Sequence, residues 1–445
     1  MSGTAAGPRW PLPRRERGAA LQRTDRVGDG QDTTEQPRPV RASGGTLSAL
    51  RHRNVRRFFA AQVVSNVGTW VQITVENWLV LELSHSGLAL GVTNALQFGP
   101  SVLLGLYGGV VADRRDRRHL LMVTQACLGL LALSVGLLAA IGSLRVWMIW
   151  LAAGVLGLVK CFDQPALLGF VKDLAGSADL PNAVAWTSTI SATGRMVGPM
   201  LGGLLLTTVG AAPGFLINAA TFALVVAVLA TLHTAELAPR THVPRAAGQI
   251  REGLTYLCSE PVLAATSVIM LVVFVAAYNF QVSLALIAAD TLAGDSQAYG
   301  SLMSALGLGA AAGSLMLARH ARTGLSAILV WTVALAATQI AVASAHDLLP
   351  LLAATFAYGV SAGLFSVTVI STLQLRTVEA MRGRVMALYA ICFMGSSLLG
   401  GPSFGALAGA IGVSRALFVA ASVCGLVALA GAIVRLAMHR FGRVI

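Results

Sequence analysis

Four ionisable side chains lie deep inside apolar stretches of this sequence: Glu76, Lys160, Asp163 and Arg195. Charged groups are expensive in hydrocarbon, so inside a membrane segment they mark ion or substrate pathways. Lys160 and Asp163 are three residues apart, which places them on one face of a helix. We expect Asp163 to neutralise Arg195, Lys160 or both, either within a working cycle or as a permanent structural pair.

Glu76 has no basic residue at its expected depth in the first half of the chain. An isolated carboxyl in an apolar site can take up and release protons, and the alternative is a solvated carboxylate at the mouth of an outer cavity. We therefore take Glu76, Asp163, Lys160 and Arg195 as candidates for proton coupling. The second half offers neutral polar groups as candidates for contact with a substrate: Tyr278, Asn279, Gln281, Gln339 and Tyr358.

The composition of the chain indicates lipid as its main solvent. Its 445 residues are 56% hydrophobic and 11% charged, whereas a soluble domain carries about 25% charge. From Phe58 onward the apolar stretches are long enough to cross a bilayer as helices. The sequence therefore predicts an all-α membrane protein with twelve transmembrane helices. These spans are 58–82, 87–111, 119–141, 145–171, 183–209, 213–232, 261–289, 297–318, 324–344, 349–374, 384–410 and 415–437.

The net charge of +13 follows from topology. With both termini in the cytoplasm, 28 of the 32 basic residues lie in cytoplasmic segments, and the outer connections hold only Arg145 and Arg415. This distribution is a strong positive-inside signal. It predicts a multi-pass plasma-membrane protein, and it removes the charge as evidence for a nucleic-acid partner.

The chain divides into five segments. Residues 1–57 are an arginine-rich cytoplasmic tail that we expect to be disordered. Six-helix halves at 58–232 and 261–437 flank a central cytoplasmic loop, 233–260, which ends in an amphipathic helix, and residues 438–445 form a cytoplasmic C-terminus. A repeat supports two pseudo-symmetric halves, because Gly198-Pro199 recurs as Gly401-Pro402 in a similar glycine-rich context. Transporters built this way hold their substrate between the halves.

A six-residue charged turn follows the second predicted span, in a run that starts at Gly109. The run contains Asp113, Arg114, Arg117 and Arg118. A positive-inside loop needs only the arginines, so the carboxylate at the helix end indicates more than topology. It can accept hydrogen bonds from a neighbouring helix N-terminus, and arginines can clamp carboxylates. We interpret this run as a latch that holds one access state shut.

The fifth predicted span contains Gly194, Gly198, Pro199, Gly202 and Gly203. Small residues allow helices to approach closely, and proline loosens or bends a span. Either these residues form a moving helix interface or they serve ordinary helix packing.

These two runs resemble motifs of the major facilitator superfamily. The first is similar to the signature G-x-L-A-D-R-x-G-R-K/R between spans two and three, with Val111 and Asp116 as departures. The second matches the core G-x-x-x-G-P-x-x-G-G of the antiporter motif, with Ala185 at the missing upstream glycine. The likeness covers roughly residues 50–440. It is nearest to the enterobactin-exporter and secretion-effector-like branch, through the segments FDQPA, DLPNAVAW and RGRVMALY.

The resemblance implies the major facilitator fold and proton-driven export of amphipathic small molecules, such as drugs, siderophores or secondary metabolites. One position departs from many drug–proton antiporters, because Ala153 stands where they carry an arginine in span four. The proton-handling mechanism of those relatives therefore does not carry over directly.

We expect a secondary active exporter that works by proton antiport and alternating access. The alternatives are a proton-coupled uptake symporter, and a non-transporting membrane sensor or lipid-handling protein on the same fold. Motifs typical of ATPases, zinc proteases and serine hydrolases are absent, and the five cysteines are far apart. We expect no enzymatic activity, no cofactor and no metal. The expected partners are a small-molecule substrate, protons and the lipid bilayer, and the chain is expected to be monomeric.

Overall fold

A computed structural model describes residues 48–232, 249–319 and 323–440. Over these ranges the chain forms one short 3-10 turn, Ala49–Arg51, and thirteen α-helices, without a strand. The helices are α1 Arg53–Ser84, α2 Gly87–Arg114, α3 Arg117–Ala140, α4 Val146–Thr208, α5 Ala212–Thr231, α6 Gln249–Ser259, α7 Pro261–Ala277, α8 Phe280–Thr291, α9 Ser296–Arg319, α10 Leu325–Ser344, α11 Leu348–Arg376, α12 Glu379–Ile411 and α13 Val413–Arg440. The all-α prediction is confirmed.

Ten helical stretches of the described chain are long and apolar enough to cross a membrane. They match the predicted spans except the first and the fifth, so the count of twelve stays a prediction. The first and fifth predicted spans are helical, as α1 and the second part of α4, but they are less apolar. The reason is their polar content, since α1 alone carries Gln72, Glu76 and Asn77 in its membrane-depth part. All three of these side chains are buried.

Helix α4 consists of two arms, 146–175 and 177–208, which meet at Gly176. This glycine has a φ of +68°, a conformation that residues with a Cβ adopt rarely. The arms correspond to the predicted spans four and five. The predicted connection between these two spans, residues 172–182, is helical except at Gly176.

The predicted boundary between tail and first span is wrong. The sequence predicts a first span from Phe58, but α1 begins at Arg53, after His52 at its N-cap. Asn54 and Val55 are already buried, because a helix can extend beyond the apolar stretch that crosses the bilayer. The rest of the predicted tail, residues 1–47, lies outside the described residues, as do 233–248 of the central loop and the last five residues of the chain. The amphipathic helix of the loop is present as α6.

The seventh predicted span, 261–289, is expected to be one continuous helix, and it is interrupted. Helix α7 ends at Ala277 and α8 begins at Phe280, with Tyr278 and Asn279 outside helical geometry. The Asn279 side chain donates a hydrogen bond of 2.6 Å to the carbonyl oxygen of Val275. That bond satisfies a carbonyl that the interrupted ladder leaves open. No proline or glycine marks the break, so the sequence pattern concealed it.

The links between helices define two ends of the bundle. The short-link end is formed by residues 85–86, 141–145, 209–211, 292–295, 345–347 and 412. The arginine end is formed by 115–116, Gly176, 377–378 and the first turn of α1. Most of the described arginines of both predicted halves lie close to it, whereas Arg145 and Arg415 lie at the short-link end and Arg195 lies within α4. The largest buried apolar cluster runs through α7, α9, α11 and α13, and it includes the fully buried rings of Phe274, Tyr299 and Phe365.

Candidate functional site

Two pairs of helices approach so closely at the short-link end that no side chain separates them. Gly401 of α12 lies against Gly91 of α2, and a methyl group added at Gly401 would be 3.1 Å from the Gly91 carbonyl oxygen. Gly203 of α4 lies against Gly300 of α9 in the same way, with 3.1 Å from an added methyl to the Gly300 Cα. We call these contacts the α2–α12 seam and the α4–α9 seam.

The same helix faces are open at the arginine end. Helices have 3.6 residues per turn, so Ala185 and Ser188 lie on the face of α4 that carries Gly203 in the seam. Ala387 and Ala390 lie near the seam face of α12 in the same way. All four are exposed. The two seams therefore close the bundle at the short-link end and leave a cavity that opens toward the arginine end.

Glu76 lies on α1 inside this bundle and is 4% exposed. Its Oε1 accepts a 2.7 Å hydrogen bond from the Gln97 amide of α2, and a second bond comes from Gln72. Gln72 in turn accepts a 2.7 Å bond from Asn218 of α5. The expectation that Glu76 has no partner, or that it is solvated at a cavity mouth, is wrong. The carboxylate is one link in a buried chain of side-chain amides.

Lys160 lies at the middle of the first arm of α4 and attracts both Glu76 and Asp163 electrostatically. Among the described residues, which include all three groups, Lys160 forms no direct ion pair with either carboxylate. The sequence gives Glu76 no basic neighbour at its depth, so this proximity is a correction. One ammonium group therefore attracts two carboxylates, each of which has hydrogen-bond donors of its own.

Asp163 is 4% exposed and is held by α3. Its Oδ1 accepts bonds of 2.7 Å from the Thr124 hydroxyl and 2.9 Å from the Gln125 amide. The expected neutralisation of Arg195 by Asp163 does not occur, since no ion pair joins these two described residues. The expected attraction to Lys160 is present.

The span-five residues serve two interfaces. Gly194, Gly198 and Gly202 follow one face of α4 and pack against α1. A methyl group added at Gly202 would lie 3.0 Å from the Thr74 Cβ. Gly203 and the carbonyl of Pro199 pack against α9. We call the first the α1 face and the second the α9 face.

Arg195 lies between the α1 face and the α9 face. The opposite side of the second arm carries exposed apolar residues, Met200, Leu201 and Leu204, which face lipid. The Arg195 side chain is exposed, and by this geometry it is exposed to the interior of the bundle. Among the described residues it has no hydrogen bond and no ion pair. It is about 20 Å from the end of its helix at 1.5 Å per residue, near the middle of the membrane.

The charged turn joins four helices, α2, α3, α4 and α5, at the arginine end. Arg117 donates hydrogen bonds to Asp113 at 3.3 Å and to Asp173 of α4 at 2.8 Å. Arg118 donates to carbonyl oxygens at the C-terminus of α5, at 2.6 Å and 2.8 Å. Asp116 of the same turn caps the N-terminus of α3, where its carboxylate accepts a 2.7 Å hydrogen bond from the His119 amide. The predicted contact of Asp113 with a helix N-terminus stays a prediction. In the same run, Gly109 is buried and Arg114 is exposed.

Three of the five neutral candidates line one pocket. It is small, partly open, and lies next to the break between α7 and α8. Its lining consists of Asn94, Tyr278, Asn279, Gln281, Val282, Ser397 and Gly401. The Asn94 side chain is 3% exposed and its Oδ1 has no hydrogen-bond partner among the described residues. The pocket therefore offers neutral donors and acceptors beside the α2–α12 seam.

Gln339 and Tyr358, the other two candidates, do not line this pocket. They are 1% and 2% exposed and hydrogen-bond to each other. The Tyr358 hydroxyl also donates to the carbonyl oxygen of Ala277, at the break. Tyr278 donates to the carbonyl oxygen of Ala362 at 2.6 Å. Sequence reasoning missed that these tyrosines brace the interrupted span.

Sequence reasoning also missed the polar residues that hold the carboxylates. Gln72, Gln97, Thr124, Gln125 and Asn218 are all buried at membrane depth. Each interrupts an otherwise apolar span, so intramembrane amides and hydroxyls were the signal available. Buried polar groups in hydrocarbon need hydrogen-bond partners. These amides and hydroxyls could therefore have been expected to hydrogen-bond to one another and to the two carboxylates.

Solved structures with the same fold are membrane transporters. A bacterial homologue of the human lysosomal transporter Spinster, inward-facing and unoccupied, superposes with a TM-score of 0.70 at 12% identity, over 88% of this chain and 98% of that chain. The nucleoside transporter NupG gives 0.66 at 14% identity, over 86% and 99%. The helical bundle with two glycine seams thus has the fold of these transporters. Within that class, the chain belongs to the transmembrane secretion effector family, whose model matches residues 44–442.

Curated relatives of this chain include siderophore transporters. The staphyloferrin A transporter of Staphylococcus aureus is 27% identical over 40% of this chain and 45% of its own length. The enterobactin exporter EntS of Shigella flexneri is 27% identical over 80% of this chain and 86% of its own. The matches to the staphyloferrin A transporter and to the transporter YfiS of Bacillus subtilis span only about half of those proteins. The family and these relatives are membrane transporters rather than enzymes.

Proposed function

We propose that this protein is a secondary active exporter that moves an amphipathic small molecule out of the cell in exchange for protons. The observation that carries the proposal is the group of Glu76, Lys160 and Asp163, in which one ammonium group attracts two buried carboxylates. Such a group is costly to keep inside a membrane protein. A transporter that needed no ion coupling would have no use for it.

Proton exchange follows from the arrangement of these three groups. When Glu76 takes up a proton, it no longer attracts Lys160, and Lys160 interacts electrostatically with Asp163 alone. When the proton leaves, Lys160 is again attracted by both carboxylates. Lys160 is seven residues from Ala153, hence on the same face of the helix two turns away. It can therefore supply the cation that many drug–proton antiporters carry at the Ala153 position.

The direction of transport is argued from charge and from the cavity. The positive-inside rule assigns the arginine end to the cytoplasm, with both termini there and the protein in the plasma membrane. The cavity then faces the cytoplasm, where an exporter collects its substrate. Alternating access between two six-helix halves would reverse it. The enterobactin exporter and the staphyloferrin A transporter among the relatives favour siderophores or similar secondary metabolites.

The test measures proton movement coupled to a compound. Everted vesicles containing the protein are acidified inside and followed with a pH-sensitive dye, while drugs, siderophores and secondary metabolites are added one at a time. We expect at least one compound to release protons from wild-type vesicles. Glu76→Gln should abolish that release, and Asp163→Asn should weaken or abolish it. Glu82→Gln is the matched control, since Glu82 is exposed on the same helix.

Two outcomes would refute proton antiport. One is that Glu76→Gln and Asp163→Asn both retain full release. The other is that a protonophore changes the cellular accumulation of none of the compounds that the protein exports. Proton uptake together with compound entry would instead identify a symporter, and binding without any flux would identify a sensor.

A further inference from the structure

The four charged side chains at membrane depth differ in exposure and in the partners that they have. Glu76 and Asp163 are each 4% exposed and hold hydrogen bonds from neutral side chains. Lys160 is attracted by both of them. Arg195 alone, among these four described residues, is exposed to the cavity without a partner. The charge that the cavity presents is therefore positive.

Arg195 also marks the inner limit of the α4–α9 seam. A methyl group added at Gly307 of α9 would lie 2.7 Å from the Arg195 carbonyl oxygen, so the two backbones are still in contact there. Two turns closer to the arginine end, the same region of α4 is open, with Ser188 exposed. The guanidinium thus stands where the seam ends and the cavity begins, on a backbone that α9 fixes.

The walls contributed by the second predicted half carry no charge at this depth among the described residues. The pocket beside the helix break is lined by neutral amides and hydroxyls. Phe393 of α12, near the middle of its helix, is 41% exposed and stacks on Tyr389, with ring centroids 6.2 Å apart. Aromatic faces and neutral hydrogen-bonding groups suit the uncharged body of an amphipathic molecule.

We infer that the substrate binds as an organic anion, with a carboxylate or phosphate head on Arg195 and a neutral, partly aromatic body toward α7, α8 and α12. This inference rests on the proposed function only in taking the protein as a small-molecule transporter. A guanidinium binds such oxyanions through two parallel hydrogen bonds. An unpaired arginine at membrane depth is expensive, and an anionic substrate supplies the missing partner once in every cycle.

The test is a binding comparison on the purified full chain in lipid nanodiscs. The probes are aromatic and alkyl carboxylates and phosphates, each paired with its neutral amide or ester, and binding is read as a shift in thermal unfolding. We expect anions to bind wild-type protein at least about tenfold more tightly than their neutral twins, since charge-assisted hydrogen bonds are the strong ones. Arg195→Gln should abolish the preference and Arg195→Lys should keep part of it. Arg145→Gln, at an exposed link position, should keep all of it.

Three results would overturn the inference: neutral twins that bind wild-type protein as tightly as the anions, a preference that survives in Arg195→Gln, or no stabilisation by any anion. The first and third need only the wild-type protein, so a variant that fails to fold does not prevent a decision. Binding needs no ion gradient. If anion-preferring binding is absent but proton-coupled flux is intact, the anion site is refuted and the proposed export function is not. If anion-preferring binding is present but proton-coupled flux is absent, only the proposed export function is refuted.

Discussion

Replacing Gly91 by alanine should open the α2–α12 seam. The added methyl group would contact the Gly401 carbonyl oxygen and lie 2.6 Å from the Pro402 nitrogen, whereas ordinary contact begins at 3.4 Å. The obstacle is main chain, which cannot rotate away as a side chain can. Helices α2 and α12 must therefore separate by about 0.8 Å or more at this level.

The size of the effect follows from the state that suffers the clash. Overpacking costs about 1–3 kcal/mol, and it acts only when the seam is closed. The gain of about 1 kcal/mol in helix propensity from alanine applies to open and closed states alike and cancels. The equilibrium should shift toward opening at the short-link end by about 5- to 150-fold, because 1.4 kcal/mol corresponds to a factor of ten.

The assay is electron–electron distance measurement between spin labels in nanodiscs, with the native cysteines removed. One pair, Leu88 with Ala406, reports on the short-link end, and a second, Leu103 with Ala390, reports on the arginine end. All four side chains are exposed. In Gly91→Ala we expect a longer distance to gain population in the first pair and a shorter one in the second. Gly409→Ala, where an added methyl meets nothing within 4 Å, is the control and should match wild type.

Unchanged distances in a folded Gly91→Ala protein would refute the role of the seam as a gate. If that variant does not fold, Gly203→Ala tests the other seam more gently. Its methyl group would lie 3.0 Å from the Ser296 carbonyl oxygen, so a shift of a few tenths of an ångström suffices. Distances equal to those of wild type in Gly203→Ala would likewise contradict gating by the seams.

Two further substitutions test contacts at the arginine end. Gly169→Ala would bring a methyl group to 2.7 Å from the Arg117 Cζ and push the guanidinium off Asp173, which is 5% exposed. We expect a loss of about 1–3 kcal/mol in unfolding free energy, because a buried charged contact is broken, read as a lower thermal unfolding temperature. Glu252→Gln removes the 3.3 Å ion pair between α6 and Arg384. Since that pair is exposed, it should cost less than about 1 kcal/mol by the same measurement.

Each of these two predictions can be contradicted by a specific result. Gly105→Ala is the control for the first, since an added methyl there has open space. Equal unfolding temperatures for the two alanine variants would mean that Arg117 is not displaced. A loss well above 1 kcal/mol on removing the α6 pair would mean that the amphipathic helix depends on that contact.

Most of the helices could be predicted from the sequence, while the start of α1, the break between α7 and α8 and the partners of the charges could not. Apolar stretches, the arginine distribution and the glycines of span five depend on local composition and helical period, so α2 to α13 largely follow the predicted ranges. The hydrogen bond from Gln97 to Glu76 joins two helices, and it depends on how far each is rotated about its axis. The same holds for Thr124 with Asp163. Periodicity within one helix carries no information on that rotation.

The break at Tyr278 and Asn279 was unpredictable for a related reason. Nothing in the local sequence forbids a continuous helix there. The interruption is stabilised by hydrogen bonds with α11, from Tyr278 to the Ala362 carbonyl oxygen and from Tyr358 to the Ala277 carbonyl oxygen. Tertiary contacts thus override local propensity at this point.

The glycine seams have a consequence for leakage. Where a methyl group does not fit between two backbones, a water molecule of about 1.4 Å radius does not fit either. At Gly91 with Gly401, and at Gly203 with Gly300, no file of water can therefore pass between the helices. A proton has no hydrogen-bonded wire to follow there. The two closed seams therefore offer no path for protons, and a proton gradient across the membrane is not dissipated through these contacts.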